Sequence, residues 1–198
     1  MTPRANGSRA EEQRQRILTA AVGVFSRRGY RATSMNDVAA GVGLSKPTLY
    51  HYVATKQDLL VQVYERVLDE SLASARAIVA AAADPLEAVR GLIVDRVAYT
   101  CEHRDLLKIC FEEESELPPE LAEPILARRR AYEAVVLEAV EAQVAASGAD
   151  LGMATKVYVN TCLGAANWVY KWFDRTGALT PRELGEQVAR VQLAMLAG

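Results

Sequence analysis

Apolar residues recur every three or four positions along most of the chain, the spacing that places them on one side of an α-helix. The first such stretch ends at Gly29, and its apolar side is formed by Ile17, Ala20, Ala21, Val24 and Phe25. Strict alternation of apolar and polar residues, which is typical of a half-buried strand, is not found in the sequence. The pattern therefore predicts an all-α protein without internal repeats.

Nearly every proline and glycine falls between two helical stretches, so the boundaries of the helices can be predicted. At residues 84–87, an N-cap aspartate precedes a proline at the first helical position and a glutamate three residues on. The same signature, with threonine as the cap, begins the last helix at residues 180–183. With two short helices between residues 34 and 53, these signals predict nine helices, and the longer ones cover residues 17–29, 56–83, 85–102, 105–113, 120–147, 150–175 and 181–196.

The segment 33–56, TSMNDVAAGVGLSKPTLYHYVATK, contains the start signals of the two short helices. Ser34 and Asp37 have the spacing of a capping box, and two glycines end the helix that follows. Ser45 caps the second helix, with Pro47 in its first turn, where a missing N–H costs little. The segment therefore predicts two short helices joined by a glycine-containing turn.

The second short helix carries the side chains that we expect to face DNA. Leu49 points inward, which leaves a polar face formed by Lys46, Thr48, Tyr50 and His51. Two short helices with a glycine-containing turn are a common way to place a recognition helix in the major groove. We therefore interpret residues 34–53 as a helix-turn-helix.

Residues 14–60 resemble the N-terminal domain of TetR-type transcriptional repressors. The matching positions are Phe25, Gly29, Tyr30, Thr33, Leu49, Tyr50, Tyr52, Val53 and Lys56. By motif position, the resemblance implies contacts with double-stranded DNA at Thr33, Ser45, Lys46, Thr48, Tyr50, His51 and Lys56. Pro47 departs from the glycine common at this position in the family, so the operator sequence of relatives cannot be transferred to this chain.

The resemblance also implies a nine-helix fold with a DNA-binding domain at residues 1–55 and an effector-binding and dimerisation domain at residues 56–198. The charge is divided in the same way: residues 1–60 contain 9 Lys/Arg and 4 Asp/Glu, or +5, and residues 61–198 contain 14 and 21, or −7. A basic module on an acidic body is typical of a DNA footprint confined to one domain. Four early arginines either form an arm that touches phosphates or are disordered, solubilising charge: Arg4, Arg9, Arg14 and Arg16.

Cysteine spacing and hydropathy exclude several other classes. Cys101, Cys110 and Cys162 lack the C-x-x-C spacing of a metal or redox site, so we expect buried thiols, no metal and no cofactor. Residues 1–7 lack the apolar core of a secretory signal, and the uncharged stretch 157–170 is shorter than a membrane span of about 20 residues. We therefore expect a cytoplasmic protein with no membrane partner.

Residues 160–173, NTCLGAANWVYKWF, contain the candidate effector site. Trp168 and Trp172 are four residues apart, and Asn160 and Asn167 are seven apart, so each pair lies on one side of a helix. Two amides and two aromatic rings in an apolar helix suit a ligand cavity. Core packing and a dimer contact are the alternative interpretations of the same aromatic stripe.

A second resemblance favours the ligand cavity. The pattern around Trp168 and residues 111–133 are similar to TetR repressors that control acyl-CoA catabolism, of fatty acids, phenylacetate or sterol rings. This implies an acyl-CoA effector in contact with Tyr99, Phe111, Arg130, Asn160, Leu163, Asn167, Trp168 and Trp172. Arg130 belongs to the cluster Arg128–Arg130, which suits the CoA phosphates or is a solvated charge run paired with Glu112–Glu114.

The family resemblance further implies a homodimer through the last two helices. Candidate apolar surface there comprises Leu163, Ala166, Val169, Val188, Val191, Gln192, Met195 and Leu196, and the alternative is that many of these positions are ordinary core. A two-fold dimer meets a palindromic operator with half-sites roughly 34–36 Å apart, or a multiple of that spacing. In this interpretation, ligand binding changes the spacing of the two DNA-binding domains and the dimer leaves the operator.

Three alternatives stay open. The chain could regulate efflux or other genes in response to a different hydrophobic ligand. It could also be an activator, or a nucleoid-type DNA binder without a ligand. An all-helical enzyme would use the acidic run Glu112–Glu116, although neither His51 nor His103 has the Glu-x-x-His spacing of a di-iron bundle.

Overall fold

The computed structural model describes residues 4–196, with side chains described from residue 9 onward. This part of the chain contains nine α-helices and no strand, which confirms the all-α prediction. The helices are α1 (Arg4–Arg28), α2 (Met35–Val42), α3 (Lys46–Tyr50), α4 (Lys56–Ala81), α5 (Pro85–Glu102), α6 (Arg104–Glu112), α7 (Pro119–Ser147), α8 (Thr155–Trp172) and α9 (Pro181–Leu193). A 3₁₀ turn at Glu114–Glu116 lies between α6 and α7.

The first helix begins at Arg4, well before the predicted start at Ile17. Its early turns carry exposed polar pairs three or four residues apart, such as Gln15 with Glu11 at 3.1 Å. Such pairs stabilise a helix without an apolar face, which is why the apolar pattern did not reveal these turns. The described side chains of the predicted arm are therefore helical: Arg9, Arg14 and Arg16. The side chain of Arg4 lies outside the described residues.

The eighth helix is shorter at both ends than the predicted residues 150–175. Gly152 has a φ of 62°, a left-handed conformation that a right-handed helix excludes. After Trp172 the chain turns away, and the Asp174 carboxylate accepts the Thr176 N–H at 2.8 Å. A short polar side chain that bonds the backbone two residues on favours a turn over a continued helix.

The two capping signatures in the second half of the chain are confirmed. Asp84 accepts the N–H of Glu87 at 2.8 Å at the start of α5. Thr180 accepts the N–H of Glu183 at 3.2 Å, while the Glu183 carboxylate accepts the N–H of Thr180 at 2.8 Å. These bonds satisfy backbone donors that lack partners within the helix.

The described residues form two compact units. The first runs to Arg66 and also includes Lys108–Ile125, and the second comprises Val67–Leu107 and the chain from Leu126 onward. The chain passes from one unit to the other inside α4, α6 and α7. The domain boundary at residue 55 stays a prediction, because these units follow packing and are discontinuous in sequence.

Each unit has its own apolar core. In the first unit, fully buried side chains include Ile17, Phe25, Leu49, Leu60 and Tyr64. In the second, the largest core cluster joins α5, α7, α8 and α9. The α5 and α9 backbones pack closely because residue 185 is glycine, and a Cβ there would lie 2.9 Å from the Val94 carbonyl oxygen. Among the described helices, none is long and apolar enough to cross a membrane.

Candidate DNA-binding face and effector cavity

The start of α2 is fixed by the predicted capping box. Ser34 Oγ accepts the Asp37 N–H at 3.2 Å, and the Asp37 carboxylate accepts the Ser34 N–H at 2.8 Å. Arg28, at the end of α1, pairs with the same carboxylate. Hydrogen bonds from the Ser34 hydroxyl and N–H lower the pKa of Asp37, and the Arg28 charge adds to the effect. The charged carboxylate therefore holds α2 against the end of α1.

The turn between α2 and α3 requires a glycine. Gly43 has a φ of 73°, which side-chain-bearing residues rarely adopt, and the next N–H, of Leu44, donates to the Ala39 carbonyl at 2.9 Å. Ser45 then caps α3 by accepting the Thr48 N–H at 3.3 Å. The capped turn sets the direction of a helix too short to be stable by itself.

The third helix presents a polar face over a fully buried Leu49. The exposed polar side chains on and beside it are Ser45, Lys46, Tyr50 and His51, Pro47 is exposed as well, and Thr48 is half-buried. Lys46 Nζ lies 5.9 Å from the centre of the Tyr50 ring, so a cation and a phenol are offered side by side. The structure brings these five predicted residues together, and their contact with DNA stays a prediction.

The two other predicted DNA residues, Thr33 and Lys56, have their polar atoms engaged within the protein. Thr33 is 3% exposed, and its hydroxyl donates to the Gly29 carbonyl at 2.8 Å. Lys56 Nζ donates to the carbonyls of Tyr30 and Thr33, both at 2.8 Å, and lies 4.3 Å from the centre of the Tyr30 ring. The ammonium therefore ties the start of α4 to the loop after α1.

The acidic run that an enzyme would use as a site instead bonds to the end of α1 and its loop, within the first unit. Within this run, the Glu113 carboxylate accepts the Tyr30 N–H at 3.1 Å, and the Glu116 carboxylate accepts the Arg31 Nε–H at 2.7 Å. A third contact comes from Lys108, shortly before the run, whose Nζ donates to the Ser26 carbonyl at 3.0 Å. Burial, followed by the charges of Glu116 and Glu113, raises the pKa of Tyr30 to about 12. The sequence analysis missed this role because its partners are more than 80 residues apart.

The second unit contains a small internal cavity of about 20 Å³, room for about one water molecule. Its lining comes from α5, α7 and α8: Val89, Leu92, Ile93, Arg96, Tyr132, Val136, Val140, Tyr158, Val159, Cys162, Leu163 and Ala166. Most of this lining is aliphatic or aromatic. A larger guest therefore requires the three helices to move apart or side chains to change rotamer.

Arg96 is the charged group in this lining. It is 8% exposed, its Nε donates to Asn167 Oδ1 at 2.6 Å, and its Nη1 donates to Ser71 Oγ at 3.1 Å. Its guanidinium carbon lies 5.7 Å from the centre of the Tyr132 ring. The sequence analysis did not select Arg96, although an arginine three and four residues after Ile93 and Leu92 continues an apolar helix face.

The predicted effector residues are dispersed. Leu163 lines the cavity, and Asn167 reaches it through its hydrogen bond to Arg96. Tyr99 lies in a surface groove, where its hydroxyl donates to Glu70 at 2.7 Å. The others lie on exposed surface, with Phe111 in the first unit: Phe111, Arg130, Asn160, Trp168 and Trp172. The described cavity thus includes neither tryptophan.

The exposed tryptophans lie on the outer face of α8, with exposed fractions of 59% for Trp168 and 55% for Trp172. Val157 on the same helix and Val191 on α9 are also exposed, at 52% and 75%. Part of the predicted dimer surface is wrong, because Ala166, Val169 and Leu196 are buried in the core. The rotation of each helix about its axis decides which apolar residues face outward, and spacing alone does not give that rotation.

The three cysteines are buried and form no disulfide. Burial raises the pKa of the Cys101 thiol to about 11, so thiolate chemistry is suppressed there. Within the part of the chain that the structure describes, no three His, Cys, Asp or Glu side chains are grouped so that they could hold a metal ion.

Two family profiles match this chain. The profile described as bacterial regulatory proteins of the tetR family matches residues 17–63. The profile described as the tetracyclin repressor-like C-terminal domain matches residues 82–196, more than half of the chain.

Individual relatives match nearly the whole chain. The transcriptional repressor KstR2 of Mycobacterium tuberculosis is 26% identical over 187 residues, 91% of each protein. A regulator of the TetR/AcrR family from Thermobifida fusca is 31% identical, with a TM-score of 0.71 over 92% of this chain and 97% of that one. AibR, solved in complex with isovaleryl coenzyme A and operator DNA, is 26% identical, with a TM-score of 0.78 over 93% and 98%.

Proposed function

The chain belongs to the TetR family of bacterial transcriptional regulators, and on that premise we propose that it is a repressor released from its operator by an acyl-CoA thioester. The observation that carries the proposal is the polar face of α3, where Lys46 and Tyr50 stand exposed above buried Leu49. A short helix that is fixed by an N-cap and a glycine-containing turn suits insertion into a major groove. The first unit thus supplies the DNA-binding half of the function.

Operator recognition by this unit requires two copies. One five-residue helix reaches few base edges, so affinity and specificity depend on a second copy at a second half-site. The outer faces of α8 and α9 suit the contact, because Trp168, Trp172 and Val191 expose apolar surface that a second copy would cover. We infer a two-fold dimer through these faces and a palindromic operator.

The effector part of the proposal rests on the cavity in the second unit. Its aliphatic and aromatic lining suits an acyl group, and AibR, the relative solved with operator DNA, was also solved with isovaleryl coenzyme A. An acyl group exceeds the space of about 20 Å³, so binding would favour a conformation in which α5, α7 and α8 are further apart. The ligand then shifts the protein between two states by its difference in affinity for them.

The sixth helix is our candidate for transmitting this shift. Its first half belongs to the second unit, and its second half, with the acidic run, belongs to the first. There Lys108, Glu113 and Glu116 hold the end of α1 and its loop through the three contacts described above. A displacement of α6 would therefore act on the helices that position α3.

The experiment combines operator binding and release. Genomic fragments that the protein prefers over random DNA are selected, and fluorescence anisotropy then gives the affinity and its dependence on salt. We expect Lys46→Ala to weaken operator binding and to reduce the slope of log affinity against log salt by about 1, because one phosphate contact is lost. Arg76→Ala, which removes an exposed charge in the second unit, is the matched control and should change neither. Light scattering on the same samples reports the dimer.

Release is measured on the same complex with isovaleryl-CoA and free coenzyme A. The thioester should dissociate the operator complex at concentrations at which coenzyme A does not. Dissociation by a CoA-free hydrophobic compound alone would make the acyl-CoA part wrong and leave the repressor part intact. A monomeric protein with no preference for any genomic fragment would overturn the whole proposal.

A further inference from the structure

We propose that Arg96 binds a carboxylate carried by the end of the effector that enters the cavity. The inference rests on the proposed function, because it concerns the ligand of that same cavity. It narrows the effector from acyl-CoA thioesters in general to thioesters of dicarboxylic acids or of acids with a second anionic group. Arg96 is then the residue that selects among acyl groups.

The Arg96 charge is buried beside neutral hydrogen-bond partners. The side chain is 8% exposed, and its hydrogen-bond acceptors are the neutral oxygens of Asn167 and Ser71. No acidic side chain among the described residues forms an ion pair with it. A guanidinium cannot lose its proton in a protein, so it cannot relieve the cost of burial by becoming neutral. A buried charge without a counter-ion is unfavourable until an anion reaches it.

Arg90, on the same helix as Arg96, has the carboxylate partner that Arg96 lacks. Arg90 is closer to solvent and forms two bonds with the Glu186 carboxylate, at 2.6 and 2.7 Å. Elsewhere in the second unit, Arg128 pairs with Asp69 at 3.1 Å. Arg90 and Arg128 therefore have carboxylate partners, while the buried Arg96 in the cavity wall has none among the described residues. A carboxylate from the ligand would serve as the counter-ion of Arg96, as Glu186 does for Arg90.

The Arg96 guanidinium also has unused hydrogen-bond donors. A guanidinium has five N–H donors, and two of them account for the bonds to Asn167 and Ser71. Nη2 donates to no described residue, so N–H donors remain on both Nη1 and Nη2, and a guanidinium can bind a carboxylate through both of its oxygens. Asn167 and the Tyr132 ring hold the guanidinium from other sides. The side chain is therefore oriented before the ligand arrives, which favours tight and selective binding.

The surroundings limit the rest of the ligand. Leu92, Val136, Val140 and Leu163 line the same cavity and offer no strong hydrogen-bonding side chain. An alkyl or ring segment would pack against them, between the buried carboxylate and the thioester. The ligand is thus anionic at both ends and apolar in the middle.

The test uses two thioesters that differ only in the group expected at Arg96. Adipoyl-CoA ends in a carboxylate, and 6-methylheptanoyl-CoA replaces that carboxylate with an isopropyl group of similar shape. Dissociation constants are measured by calorimetry for the full-length wild type, Arg96→Met and Arg96→Lys. We expect the wild type to prefer adipoyl-CoA by about 10- to 100-fold, in the range of a hydrogen-bonded charge pair. Arg96→Met should reverse the preference, and Arg96→Lys should retain part of it.

Each outcome decides the question. If Arg96→Met weakens both thioesters equally, or if the wild type does not distinguish them, Arg96 has only a structural role and the inference fails, while the proposed function stands. If neither thioester binds but octanoate without CoA raises the melting temperature of the wild type and not of Arg96→Met, the acyl-CoA proposal fails and the Arg96 inference stands. Absence of binding by all three compounds would contradict both.

Discussion

The candidate DNA-binding face and the candidate effector cavity are encoded in the chain in opposite ways. The residues that form the start, turn and exposed face of α3 lie within residues 34–51, and the bonds that cap α2 and α3 and close the turn between them join residues three to five positions apart. The cavity draws its lining from three helices between Val89 and Ala166. A site formed by one short segment is visible as a pattern in the sequence. A site formed by the packing of distant helices becomes visible only when their rotation and depth are known.

The largest effects should come from truncating one buried leucine in each region. Leu49→Ala and Leu92→Ala each remove a core side chain and should each lower the free energy of unfolding by about 2–5 kcal/mol. We expect Leu49→Ala to lose operator binding and to keep the affinity for isovaleryl-CoA, because it acts on the short α3. Leu92→Ala should enlarge the cavity and change ligand affinity with little effect on operator binding by the unliganded protein.

Chemical denaturation gives the stabilities, and anisotropy and calorimetry give the two affinities. Equal losses of DNA and ligand binding in both variants would show that the two regions are not separable in this way.

The next effect separates a structural from a DNA-binding role for Lys56. Lys56→Met removes an ammonium that donates to two carbonyls at 2.8 Å and should lower the free energy of unfolding by about 1–3 kcal/mol. Operator affinity should fall because the first unit becomes less stable, but the slope of log affinity against log salt should not change. A slope reduced by about 1 would instead show that Lys56 contacts a phosphate, as the family resemblance implies. Lys46→Ala provides the reference slope, because Lys46 is the residue that we propose contacts a phosphate.

The smallest effect is a pH dependence shared by the two capping boxes, one in each unit. The pKa of Asp37 is lowered from its ordinary value of 3.8, mainly by the Ser34 hydroxyl, and that of Glu183 from 4.5, mainly by the Thr180 N–H. The folded state binds these two protons less tightly than the unfolded state. Each capping box therefore stabilises the protein when the pH is above the ordinary pKa of its carboxyl group. The contribution shrinks as the pH falls below those ordinary values and is lost once the pH has fallen through the lower pKa values of the folded state.

Asp37→Asn and Glu183→Gln should therefore be less stable than the wild type near pH 7, by an amount that narrows as the pH falls below about 4. Melting temperatures at a series of pH values measure this difference. A deficit that stays constant with pH would mean that the charged form of the carboxylate is not what stabilises the cap. Only the Asp37 variant should also weaken operator binding, because only that box holds α2.

The same contrast explains what the sequence could and could not predict. Caps at Ser34, Ser45, Asp84 and Thr180 are confirmed, because a cap depends on residues three positions apart. The aromatic stripe of α8 was ambiguous between a cavity and an outer surface, since four-residue spacing shows that Trp168 and Trp172 share a side and not which side. Arg96 went unnoticed because its meaning depends on partners, Ser71 and Asn167, on other helices.

The division of the chain into two units that α4, α6 and α7 cross has a consequence for engineering and for evolution. The first unit cannot be separated from the rest by one cut in the chain. A fragment that ends at Arg66 would lose the Cys110 carbonyl bonded to the Tyr64 hydroxyl, and the acidic groups bonded to Tyr30 and Arg31. Chimaeras that join the first unit to the second unit of another protein therefore need the segment Lys108–Ile125 from the same parent as residues up to Arg66. Recombination at a single crossover should yield functional hybrids far less often than it does for proteins whose modules follow one another along the chain.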